Sequence, residues 1–263
     1  MQLIDRLNLG EGFSKYFRID AALDEDLRDE VFRIRHSVYC EDLQFESTRP
    51  DGREIDHYDA HSVHCLLRTA TAPFRPVGCA RVVLTNPTDP AAPLPFEVSC
   101  ASALDRSIID PARLPRDRIA EISRLAVHRD YRRRRGEEHT PVHIDPSDFS
   151  DGDRPRFPFV PTSLLLGAVA LADCSGIDTV FVLTEPRLAA HFGKLGVEVI
   201  QIGQPIEHRG RRIPSVMHVE EIIRNMRPIL HPLWHLVRTE IGRVFDEAGR
   251  GKGQQGSPAT HTG

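Results

Sequence analysis

The chain has 263 residues, 40% of them hydrophobic, and a formal net charge of -4 at pH 7. That length suits one large domain or two small ones with a sizeable core, and the slightly acidic balance argues against a general nucleic-acid binder, whose domain is usually strongly basic. Five scattered cysteines (Cys40, Cys65, Cys79, Cys100 and Cys174) are odd in number and never spaced C-x-x-C, poor material for a disulfide framework or a structural zinc site.

Taken from the N-terminus, residues 1–12 carry acids and lack an apolar core of signal-peptide length. No run reaches the ~18 apolar residues of a membrane span, and the scattered cysteines fit a reducing cytoplasm, where the protein is expected. Residues 15–19 predict a short first strand. Leu23, Leu27, Val31, Ile34 and Val38 recur at helical spacing and predict an amphipathic helix over about 24–40. The polar stretch 41–60 turns at Pro50-Asp51-Gly52. Strands are expected at 62–69, 76–84 and 119–127, with proline-rich excursions at 87–95 and 111–115 between the last two. Residues 137–160 read as a surface loop or insertion. Pro161 opens an apolar helix over 162–175, followed by a buried strand at 178–184, a helix at 186–195 closed by Gly196, and strands at 197–202 and 213–219. A last helical stripe runs over 221–247, where Pro228 and Pro232 should break or kink it. The order predicts a mixed α/β sheet in a domain of residues 1–220, a helical extension over 221–248 and a disordered Gly/Gln/Thr-rich tail over 249–263.

Three groups could carry chemistry. Arg35 lies on the first helix, Glu54, Asp56 and Asp59 crowd the polar stretch, and Arg81 accompanies Glu121, Ser123 and Arg124. Glu121 and Ser123 share one strand face because side chains alternate with period two, whereas Arg124 points to the other face unless a bulge re-aims it. Each also has a plain reading: a structural ion pair for Arg35, a solvated turn for the acids, a solvent-facing Glu121, and a solvated surface for the run Arg132–Arg135. His57, His61 and His64 beside Asp59 resemble metal ligands, but positions 61 and 64 fall on opposite faces of a strand, and no metal is expected. Cys40 reads as a small buried thiol rather than a nucleophile. Trp234 and the terminal helix could touch a membrane surface, but their mixed charges favour packing on the domain.

Several segments together carry a family resemblance: KYFRIDAA, VFRIRHSVYCEDLQFE, EIDHYDAHSVHCLLR, VGCARVVL, EISRLAVHRDYRRRRGE, TEPRLAAHFGKLGV and IGQPIEHRGRRIPSVMHV. Over about residues 13–220 the chain resembles the GNAT acyltransferase superfamily. Within it the chain is similar to the acyl-homoserine lactone synthases, the N-acyl amino acid synthases and, most of all, the acyltransferases associated with PEP-CTERM/exosortase systems. The resemblance implies a GNAT fold, a mixed twisted central sheet flanked by helices, with the extra C-terminal helix. Arg35, Asp56, Asp59, Arg81, Glu121 and Arg124 match the polar positions shared with the lactone synthases, and Ser123 their strand hydroxyl. Gln44-Phe45 stands where those synthases usually carry a tryptophan of the S-adenosylmethionine pocket. The 137–160 insertion is unlike a tight pyrophosphate loop, which favours an acyl carrier protein over coenzyme A as donor.

The implied activity is transfer of a fatty acyl group from a phosphopantetheine thioester to the amine of an amino acid or related small molecule. No permanently bound cofactor is expected. Glu121 would be the general base. Ser123 would complete the reaction floor, and backbone N–H groups near Leu125, Ala126 and Val127 would stabilise the oxyanion. Arg35, Asp56, Asp59, Arg81 and Arg124 would shape the amine pocket. Arg132, Arg133, Arg134, Arg135 and Gly136 would hold the donor's phosphate or the carrier's acidic surface. Rival readings are a lactone synthase using S-adenosylmethionine, a GNAT-like module without turnover, and a nucleic-acid binder resting on the single arginine run.

Overall fold

The computed structural model describes residues 9–132 and 160–254, the last six by backbone alone. The chain opens with helix α1 (Leu9–Tyr16) and strand β1 (Phe17–Ala21). The strand expected at 15–19 thus starts later, because Leu9 and Phe13 sit one helical turn apart and put one face of α1 on the core. Helix α2 (Glu25–His36) is capped by Asp24, whose carboxylate accepts from the Leu27 N–H at 2.8 Å. It continues as a π-helical turn, Ser37–Asp42. A 3-10 turn, His57–His61, leads into β2 (Ser62–Thr69). Strands β3 (Pro76–Leu84) and β4 (Ile119–Val127) flank the proline-rich excursion, which holds a short helix, α3 (Pro95–Ser99).

Helix α4 (Val160–Cys174), strand β5 (Thr179–Thr184) and helix α5 (Pro186–Lys194) follow. Only Ile200–Gln201 of the expected 197–202 strand pairs, as β6. A short hairpin, β7 (Ile206–Glu207) to β8 (Arg211–His218), takes the place of the single strand expected at 213–219. The terminal stripe is two helices, α6 (Val219–Asn225) and α7 (His231–Gln254), parted by the turn at Pro228. Pro232 does not break α7. It lies in the first turn, where its missing N–H has no intrahelical partner to lose. Helix α7 runs past Gly249 into the stretch expected to be disordered.

The strands form one sheet in the order β1-β2-β3-β4-β5-β8-β6, with β7 also on β8. All neighbours are antiparallel except β4 and β5, which run parallel. Helices α4 and α7 cover one face. Helix α4 is apolar all round because it lies between the sheet and α7, and every residue from Val160 to Ala172 is buried. A Cβ at Gly167 would stand 2.6 Å from Ile19 Cδ1 and 2.9 Å from Cys65 Sγ, so glycine sets the close approach of α4 to the sheet. Leu233, Val237 and Ile241 of α7 belong to the same core, so this face is spent on the domain rather than offered to a membrane. Among the described residues no helix is long and apolar enough to cross one. The opposite face carries α2 and α3, and between them lies the polar cluster described next.

Candidate active site

The site begins where the sheet opens. Pairing of β4 with β5 runs from Ile119/Thr179 to Ile122/Val182, yet β4 continues to Val127 and β5 to Thr184. The two parallel strands part beyond that point, and a cleft of about 990 Å3, counted to its open mouth, occupies the gap. Glu121, Ser123, Arg124 and Leu125 form its β4 wall. One side is apolar, with Leu165 from α4, Leu188 and Phe192 from α5, and Met217 from β8. The other is polar, with Arg124, Glu185, His208, Arg209 and Arg212.

A bulge arranges the β4 wall. Cys79 pairs with Ala126 and Arg81 with Ser123, so β4 carries one residue more than β3 across this interval. The backbone absorbs it at Arg124, which has φ +51°. The bulge re-aims Arg124, whose guanidinium joins Glu54 and Asp56 on the face of Ser123. The Tyr39 hydroxyl donates to the Leu125 carbonyl at 3.2 Å, and the Arg124 guanidinium lies 5.5 Å from the Tyr39 ring centre.

Three arginines and three acids close into one network. Arg35 Nε donates to Glu54 at 2.5 Å, and its two terminal nitrogens donate to Asp59 at 2.7 and 3.0 Å. Arg81 donates to Asp56 at 2.7 Å, Asp59 at 2.9 Å and Ser123 Oγ at 3.1 Å. Arg124 donates to Glu54 at 2.9 Å and Asp56 at 3.1 Å. Burial alone would raise the carboxyl groups. The arginines outweigh it, holding Glu54 at about 2 and Asp59 well below the usual range. Arg35 and Arg81 are fully buried and do not line the cleft. Their position is that of a scaffold. Within the network, Ser123 and Arg124 reach the cleft wall.

Glu121 stands apart from this network. It is buried, and its Oε2 accepts from the Phe96 N–H at 2.6 Å, one of the first-turn donors of α3 that have no partner within the helix. Burial pushes its carboxyl up to about 7, against the pull of that N–H and of Arg81 and Arg124.

Of the other expected residues, Ala126 packs against α2 and Val127 against the α4 core, and both pair with β3. Arg132 is bound to Asp42. Arg133, Arg134, Arg135 and Gly136 lie outside the described residues, as do residues 137–159. Cys40 is buried, with its thiol pushed up by burial. No His, Cys, Asp or Glu cluster among the described residues could hold a metal ion.

Phe45, noted in the sequence as standing near the usual tryptophan, lines the cleft, whereas sequence reasoning passed over Tyr39, Glu46, Glu185, His208, Arg209 and Arg212 as site residues. Glu46 meets Arg209 and lies 3.8 Å from Arg124, while Arg212 is held by Glu185 at 2.6 Å. All lie in or beside the stretches that carry the resemblance. The signal available was the charge of Glu46 and of His208-Arg209-Gly210-Arg211-Arg212, far apart in sequence.

The fold that carries this geometry resembles known proteins. Residues 34–141 match a family model described as an acetyltransferase (GNAT) domain. Isovaleryl-homoserine lactone synthase of Bradyrhizobium diazoefficiens is 40% identical over 50 residues, 19% of this chain and 23% of that protein. The match therefore spans about a quarter of the curated relative's length. Among solved structures, TofI in complex with an inhibitor and MTA aligns at 20% identity over 82% of this chain and 95% of that one, with a TM-score of 0.53. The CoA-dependent acyl-homoserine lactone synthase BjaI, with MTA, aligns at 23% identity over 84% and 89%, also with a TM-score of 0.53. The chain therefore has the GNAT acyltransferase fold, a mixed twisted sheet flanked by helices with a further helix at its C-terminus.

Proposed function

We propose that this protein is an N-acyltransferase that moves a fatty acyl group from a phosphopantetheine thioester to the amine of an amino acid or a related small molecule. The observation that carries this reading is Glu121, a buried carboxyl with a pKa of about 7 in the wall of a cleft opened by parting strands. A carboxyl poised there takes a proton from an ammonium near neutral pH, directly or through a water. The freed amine attacks the thioester carbon, the C–N bond forms, the nitrogen gives its second proton to solvent, the C–S bond breaks, and the thiolate leaves and takes a proton from solvent. No nucleophilic side chain is required, since a thioester is already activated. Whichever backbone N–H groups of Leu125, Ala126 and Val127 point away from β3 would face the developing oxyanion. The apolar side of the cleft, with Leu165, Leu188 and Phe192, suits the acyl chain.

The 137–160 insertion favours an acyl carrier protein as donor over free coenzyme A, with Arg132–Arg135 and Gly136 near the phosphate. The motifs quoted from the sequence support a place beside the acyltransferases of PEP-CTERM/exosortase systems. The free thiols fit a cytoplasmic reaction. A second reading, synthesis of an acyl-homoserine lactone from S-adenosylmethionine, is favoured by the 40% identity to a lactone synthase.

The test is mass spectrometry of reactions containing acyl carrier protein or coenzyme A thioesters with amino acids or S-adenosylmethionine. N-acyl amino acids formed by the native protein and lost in Glu121→Gln support the main reading. A lactone supports the second. No acylated product with any pair of substrates overturns both.

A further inference from the structure

Three guanidinium groups line the polar end of the cleft, those of Arg124, Arg209 and Arg212, and the first two are in different states. Arg124 is saturated. Burial pulls its pKa down, but Glu54 and Asp56 outweigh that and hold it above its ordinary value. Arg209 meets Glu46, and burial pulls it below its ordinary value, with Arg212 and Arg35 pushing the same way. Arg209 sits at the tip of the β7–β8 hairpin with φ +52°, followed by Gly210 at φ +89°. The turn is tied by the His208 N–H to the Gly210 carbonyl at 3.0 Å, and Arg212 donates to the Arg209 carbonyl at 2.9 Å. Arg212 is anchored in turn by Glu185 at 2.6 Å. The hairpin is thus braced to hold one guanidinium at the cleft wall. The group facing it is the carboxylate of Glu46, which also lies 3.8 Å from Arg124. Glu46 comes from the segment after α2, is partly exposed, and is not among the residues lining the cleft.

We propose that Arg209 is the receptor for the acceptor's carboxylate, and that Glu46 occupies the same guanidinium until an α-amino carboxylate displaces it. This rests on the acyl-transfer reading of the cleft and names the acceptor class within it. An α-amino carboxylate places its charge beside its amine, so a carboxylate held by Arg209 keeps the amine inside the cleft that Glu121 also lines. The guanidinium fork matches a carboxylate with two parallel hydrogen bonds, a geometry a simple amine cannot use. Exchange of one carboxylate for another leaves the local charge unchanged, so discrimination against amines lacking a carboxylate comes from Arg209 remaining with Glu46.

The experiment compares phenylalanine with phenethylamine and leucine with isopentylamine as acceptors, using one acyl thioester, in the native protein, Arg209→Ala, Arg209→Lys and Glu46→Gln. The native protein is expected to prefer the amino acid of each pair. In Arg209→Ala the ratio of kcat/KM for amino acid over amine should fall by about tenfold or more, chiefly through KM, with partial recovery in Arg209→Lys. Glu46→Gln should lower KM for the amino acids. Calorimetric titration of the same four compounds into the same proteins reports binding without turnover. An unchanged ratio in Arg209→Ala overturns the inference while leaving acyl transfer intact. Absence of all products sinks acyl transfer, and calorimetry then decides the carboxylate site alone: amino-acid binding lost in Arg209→Ala sustains it, and equal or no binding refutes it.

Discussion

The Phe96 N–H and the Glu121 carboxylate meet at 2.6 Å, joining the first turn of a five-residue helix to the strand that forms the cleft wall. The bond holds one carboxylate oxygen of Glu121 in place, but it does not offset burial, which leaves the group near 7. Glu121→Gln keeps an oxygen that can accept from Phe96 and loses the base. Acyl transfer should fall by about 10²-fold or more, and the native kcat/KM should rise with pH through a midpoint near 7. A pH–rate profile of the native protein and the variant checks both.

The same carboxyl makes a prediction for stability. Its folded pKa of about 7 lies above that of an unfolded glutamic acid. The stability linked to its proton is therefore fully present below about pH 4.3 and is lost as pH rises through 7. Glu121→Gln has no such loss. It should be more stable than the native protein at pH 8 by on the order of 3 kcal/mol, and the difference should vanish near pH 4. Urea unfolding at the two pH values measures it.

Arg35 is the least exposed member of the charged network and holds two of its acids. Arg35→Met strands Glu54 and Asp59 in the interior and should cost about 3–5 kcal/mol. Neutralising them as well, in Arg35→Met/Glu54→Gln/Asp59→Asn, should recover part of that loss. Glu54 is depressed to about 2, so its contribution is present above its unfolded value and lost as pH falls through 2. The penalty of Arg35→Met should therefore shrink in acid, as urea midpoints at pH 7 and pH 3 would show.

Much of this arrangement was legible in the sequence because the relevant signals are local. Strands β2, β3 and β4 follow their expected limits, and the Glu121/Ser123 face follows from alternation. The possibility of a bulge at Arg124 could be stated, but not whether it forms. The extra residue shows only against the register of β3, which is a pairing between distant segments. Helix α3 was hidden because prolines that signal a break also suit the first turn of a helix. Arg35 and Arg81 looked like pocket residues by type. Complete burial, which makes them scaffold, depends on α2, the 3-10 turn and β3 meeting in space. The contact of Glu46 with Arg209 joins positions 163 residues apart, and no local pattern encodes it.

Arg124 combines a strained backbone with a needed side chain, and the two can be separated. At φ +51° an L side chain is disfavoured by about 1–2 kcal/mol relative to glycine. Arg124→Ala loses the guanidinium and keeps the strain, whereas Arg124→Gly loses both. Arg124→Gly should therefore be the more stable of the two by about 1 kcal/mol, although both fall below the native protein through loss of the partner of Glu54 and Asp56. Both should be catalytically impaired to a similar degree, because the side chain rather than the turn faces the cleft. Thermal unfolding alongside acyl-transfer rates distinguishes the two contributions.

The apolar side of the cleft should set acyl chain length. Leu188 and Phe192 lie one helical turn apart on α5, and together with Leu165 of α4 they wall the space between the parted strands. Leu188 is partly exposed at this wall, so a larger side chain there meets the cleft rather than the packed core. Leu188→Trp should occupy space that a long chain needs and leave room for a short one. Each methylene removed from water contributes about 0.8 kcal/mol, so a chain shortened by four carbons forfeits up to about 3 kcal/mol of binding in the native cleft. In the variant that advantage of the long chain disappears. Competition between C8 and C12 thioesters, read as the product ratio, should favour C12 in the native protein and shift toward C8 in Leu188→Trp. An unchanged ratio in a folded variant would place the acyl chain elsewhere than between α4 and α5.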